Sequence, residues 1–87
     1  MIKQELNDKL IKHLKDNNCL ATPEDCANYE KQKYFILYDY MDNTIHISFN
    51  WCTRPQGTIF STNEKILLEF LNKYENEIKK FYFDINN

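Results

Sequence analysis

Two runs of aromatic and β-branched residues, Tyr34 to Tyr40 and Thr44 to Trp51, flank Asp42-Asn43. No other feature constrains the fold as much, because such runs favour strands and paired Asx residues favour a tight turn between them. With Asp42 and Asn43 filling a two-residue turn, Tyr40 faces Ile45, Tyr38 faces Ile47, Ile36 faces Phe49 and Tyr34 faces Trp51. All of these are large and apolar or amphipathic. The other face pairs Asp39 with His46, Leu37 with Ser48 and Phe35 with Asn50. That division predicts a sheet with one buried side.

The flanking segments read as helices and one more strand. Leu6, Leu10 and Leu14 recur every four residues through 2–17, a narrow apolar stripe with His13 beside it. The stripe predicts a helix on the outside of the domain, stopped by Asn17-Asn18. Thr22-Pro23-Glu24-Asp25 has a capping residue, a proline at the first helical position and acids at the positive end of the dipole, which predicts a short helix to about Tyr29. Arg54-Pro55-Gln56-Gly57 reads as a turn into a third strand, Thr58-Ile59-Phe60. Ser61 and Glu64 are spaced as a capping box for a helix reaching about Phe81. That helix has a buried stripe of Leu67, Phe70, Leu71, Tyr74, Ile78 and Phe81. Glu69/Lys73 and Glu75/Lys79 are spaced for ion pairs along it. The expected fold is α+β: N-terminal helix, short helix, three-stranded antiparallel meander, and a long C-terminal helix packed on one sheet face.

Eighty-seven residues make one domain, 1–87, with a small core. An aromatic share of 15% supplies large side chains to fill it. Eleven basic and 13 acidic residues, interspersed, leave a net charge of −2 and no basic block. Arg54 is the only arginine. This balance argues against direct nucleic-acid binding. No apolar run is long enough to span a membrane. Three cysteines and a polar N-terminal segment predict a reducing compartment, the cytoplasm.

Candidate chemistry is sparse. Cys19, Cys26 and Cys52, with His13 or His46, lack the two-to-four-residue spacing of a zinc knuckle, so free thiols and no metal are expected. Asp39 and His46, read as cross-strand neighbours, resemble the orienting half of a nucleophilic triad. Cys52 lies six residues beyond His46, about 20 Å along a strand, too far to complete it, which leaves Cys19 or Cys26 approaching from the loop, or a plain exposed charge pair. There is no phosphate-binding glycine loop and no paired-carboxylate motif. The reading is a non-enzyme without a cofactor. One anomaly remains on the polar face, where Phe35, Leu37 and Cys52 fall among Asp39, Thr44, His46, Ser48 and Asn50. Cover by the N-terminal helix, a docking patch, or incidental exposure each account for it.

The segments Lys33-Tyr34-Phe35-Ile36-Leu37-Tyr38-Asp39-Tyr40 and Gly57-Thr58-Ile59-Phe60-Ser61-Thr62-Asn63-Glu64, with a closing Phe81-Tyr82-Phe83, resemble small phage and prophage proteins of low-GC Gram-positive bacteria. The likeness covers about residues 22–83. It implies an origin in a mobile element and an action by contact, as in anti-CRISPR proteins, inside the host cytoplasm. The expected partner is then a host protein or ribonucleoprotein complex such as a CRISPR effector. The resemblance supplies no site residues; the polar sheet face and its rim, Phe35, Leu37, Asp39, His46 and Arg54, are the surface expected to meet it. An adaptor in phage or prophage assembly is the alternative, and a small zinc or thiol protein the third.

Overall fold

The computed structural model describes residues 2–39, 41–50 and 58–82, residue 82 by its backbone alone. The described chain is α+β: α1 (Lys3–Asp16), α2 (Pro23–Ala27), β1 (Lys33–Asp39), β2 (Thr44–Asn50) and α3 (Glu64–Tyr82). The two strands form an antiparallel sheet. Helix α3 packs against both strands and against α1.

The hairpin keeps the expected faces but not the expected pairs. Tyr38 is opposite Ile45, Ile36 opposite Ile47 and Tyr34 opposite Phe49, a shift of two residues. A shift of two leaves every side chain on its own face. Its cause is in the turn. The Asp39 carboxylate accepts the backbone N–H of Met41 at 3.0 Å and of Asp42 at 3.2 Å, which closes the chain directly after β1. Asn43 takes a left-handed φ of 55°, whereas Asp42 does not. A two-residue turn of the type Asp-Asn favours needs positive φ at both central positions. The described residues 41–43 therefore belong to the connection between the strands.

The third strand of the expected meander is absent from the described residues, and the chain returns to the other side of the sheet. The N–H and C=O of Tyr34 both pair with Ser61, each at 2.8 Å, on the edge of β1 away from β2. On its far side this segment meets residues 19–21, where Ala21 N–H donates to the Phe60 carbonyl at 2.9 Å and Thr62 N–H to the Cys19 carbonyl at 2.8 Å. One paired residue on each side anchors the segment without extending it into a strand.

Local chemistry explains the helix ends. The Cys19 N–H donates to the Leu14 carbonyl and the Asn18 N–H to the Lys15 carbonyl, with Asn18 at a φ of 55°. This double closure is a Schellman motif, and its apolar pair, Leu14 and Cys19, belongs to the core. Thr22 and Asp25 form the capping box of α2, which ends at Ala27, two residues short of the expectation. The cap of α3 is Asn63, whose side chain accepts the Ile66 N–H at 3.2 Å. Ser61 is instead buried and turned onto Asn63, accepting its N–H and donating to its carbonyl. Its pairing with Tyr34 holds it two residues too early to cap the helix.

Leu6, Leu10 and Leu14 join Ile36, Leu67, Phe70, Leu71 and Ile78 in one cluster, so α1 supplies core rather than lying outside it. The α3 stripe falls where its spacing puts it, with Tyr74 and Phe81 half-buried. Tyr74 has a non-helical φ and ψ of −116° and 20°, which kinks α3. Glu75 pairs with Lys79 at 3.2 Å, whereas the Lys73 ammonium lies 5.4 Å from the centre of the Tyr74 ring rather than on Glu69. No helix among the described residues is long and apolar enough to cross a membrane. Trp51, Cys52 and the Arg54–Gly57 turn lie outside the described residues.

Candidate functional site

Helix α3 covers one face of the hairpin, and strand alternation sends Phe35, Leu37, Asp39, Thr44, His46, Ser48 and Asn50 to the other. Four of the five residues expected to form a docking patch, Phe35, Leu37, Asp39 and His46, are thus on one surface. Arg54 lies outside the described residues. Within that surface the residues have different roles.

Phe35 is half-buried, its ring meeting that of Phe60 edge-on at 5.4 Å. The cover over Phe35 therefore includes the segment leading into α3, since α1 packs with its leucines against α3. Leu37 is 37% exposed, with His46 directly opposite it on β2. His46 is exposed and has no hydrogen-bond partner among the described residues. Asp39 faces Thr44 rather than His46, and its carboxylate is committed to the turn. The imidazole is therefore not oriented by Asp39. What remains available is an apolar–imidazole pair, Leu37 and His46, framed by Thr44, Ser48 and Asn50.

Lys33 closes the base of this face, and spacing gave no warning of it. The residue is fully buried, and its ammonium donates to the Asn28 carbonyl at 2.7 Å. Its stem contributes apolar area beside Phe35 while the carbonyl meets its charge. The one available signal was position: Lys33 alternates with Phe35 and Leu37 on one face.

A second concavity of about 400 Å³ lies between α1 and α3, lined by Lys9, Lys12, His13, Asp16, Glu69, Phe70, Lys73 and Tyr74. Three of its polar side chains, Lys12, Asp16 and His13, are engaged within the protein. The Lys12 ammonium meets Asp16 at 2.8 Å, an ion pair that raises the Lys12 pKa from its ordinary value. His13 donates from Nε2 to the Ile66 carbonyl at 3.0 Å, with its ring 5.7 Å from that of Phe70. His13 thus ties α1 to α3. Cys19 is buried in the core and Cys26 half-buried in α2, both as free thiols. Among the described residues no three His, Cys, Asp or Glu side chains converge on a point.

No known protein family, curated protein or solved structure matches the chain.

Proposed function

We propose that this protein acts by contact, docking the open hairpin face around Leu37 and His46 onto a macromolecular partner. The observation that carries the reading is the asymmetry of the sheet. One face is packed under α3, while the far end of the other exposes a leucine beside an imidazole that has no partner among the described residues. A partner that buries Leu37 gains about 1.5–3 kcal/mol for that side chain, and His46 supplies a donor or an acceptor at its edge. The likeness of the Lys33–Tyr40 and Gly57–Glu64 segments to phage proteins supplies the target class. That class is a host defence complex, such as a CRISPR effector, occluded by a phage-encoded inhibitor.

Capture from a host carrying such a complex tests this. Tagged wild-type protein should retain the complex, and a Leu37→Lys, His46→Ala variant of unchanged fold should lose it. Retention by both proteins would move the docking surface elsewhere. Co-purification with phage particles in place of a host complex would make the protein an assembly adaptor.

A further inference from the structure

Among the described residues, nothing pairs with the outer edge of β2. Tyr34 directs both backbone groups to Ser61, so the hydrogen-bonded pairs of the hairpin are Lys33–Asn50, Phe35–Ser48, Leu37–His46 and Asp39–Thr44. Ile45, Ile47 and Phe49 therefore direct N–H and C=O away from β1, and no described residue pairs with them. Edge strands in soluble proteins are ordinarily blunted by lysine, proline, a bulge or brevity. β2 is seven residues long, Thr-Ile-His-Ile-Ser-Phe-Asn, with no lysine, proline or acid, and its register runs without a bulge. Phe49 adds a second observation. It belongs to the face that α3 covers, yet it is 54% exposed at the end of the strand.

We infer that a second copy of this chain covers this edge, the two β2 strands pairing antiparallel about a two-fold axis at Ile47. Among two-fold registers, this one alone overlaps all seven residues. It places Ile47 opposite Ile47 of the second copy and Ile45 opposite Phe49 of the second copy, all outward-directed, so that about six backbone hydrogen bonds form. On the α3 side, Ile45 of each copy covers the exposed ring of Phe49 in the other. On the polar side His46 meets Ser48 and Thr44 meets Asn50, with no like charges opposed. The strand is complementary to itself, which is why a second copy rather than an unrelated strand is its occupant. The product is a continuous four-stranded sheet, a more stable unit than an isolated pair of strands. The Leu37 surfaces of both copies stay uncovered on one side, so the inference holds whether or not that surface docks a partner.

Light scattering over a dilution series, with amide hydrogen exchange at both ends of it, tests the pairing. The expected result is a concentration-dependent dimer in which exchange at Ile45, Ile47 and Phe49 slows roughly tenfold or more on association. Phe49→Lys, at an exposed position, should remain monomeric with fast exchange at the edge. Three results would overturn the inference: a monomer at every concentration, a dimer whose edge amides stay unprotected, or a Phe49→Lys protein that dimerises like the wild type. Should Phe49→Lys fail to fold, the wild-type exchange pattern decides alone.

Discussion

Leu67 and Leu68 are neighbours on α3, one fully buried and the other 42% exposed, so truncating each to alanine isolates burial from chemistry. Leu→Ala removes three carbons, a transfer loss of about 2.4 kcal/mol for a buried site at ~0.8 kcal/mol per methylene. At Leu67 the core residues one turn along α3, Phe70 and Leu71, are themselves buried and relax only in part. The residual cavity brings the expected loss to about 3–5 kcal/mol. At Leu68 little more than half the side chain is shielded, no closed cavity forms, and alanine is the better helix former, so about 1 kcal/mol is expected. An 87-residue domain is stabilised by roughly 4–13 kcal/mol in total. Leu67→Ala therefore removes a large share of it and lowers Tm by well over 10 °C at ~4–8 °C per kcal/mol. Urea titration monitored by circular dichroism, with the slope held common to all three proteins, measures both losses. Equal losses at the two positions would refute the helical phase assigned to α3, and with it the face of the sheet that α3 covers.

Two further outcomes follow from the caps. Asn63→Ala should cost about 1 kcal/mol by removing the acceptor for Ile66 N–H, and Asn63→Asp should restore most of it, both read by urea titration. Asp25 has its pKa lowered by the Lys31 ammonium and by the Thr22 N–H, so its contribution to α2 is complete above its ordinary value of 3.8 and is lost as pH falls through the depressed one. Exchange protection of the Asp25 and Cys26 amides should accordingly drop on acidification into that range. Lys31→Gln should move the drop to higher pH, and an unmoved profile would contradict the assignment.

Most of the fold was legible because the periodicities were unambiguous. Alternation along 33–50 and the four-residue spacing of Leu6, Leu10 and Leu14 identify faces, and faces survived even where the pairs were displaced. What was not legible rests on single hydrogen bonds between segments distant in the sequence. Asp42-Asn43 looked like the whole turn because the competing acceptor, Asp39, belongs to the strand before it. Ser61 looked like a cap because nothing local reveals that Tyr34 holds its backbone. The same limit applies to the candidate surface. Alternation put Phe35, Leu37, Asp39 and His46 together, but pairing decided their roles, turning Asp39 to the turn and Phe35 onto Phe60. Leu37 and His46 were left open.

That open pair is the centre of the account, and plating efficiency tests it most directly. Phage or plasmid is introduced into a host with an active defence system, together with the wild-type protein or the Leu37→Lys, His46→Ala variant. The account predicts rescue by the wild type and its loss in the variant, with the two proteins melting within a few degrees of each other, since exposed positions change stability by only about 0.5 kcal/mol each. Full rescue by a folded variant would contradict it.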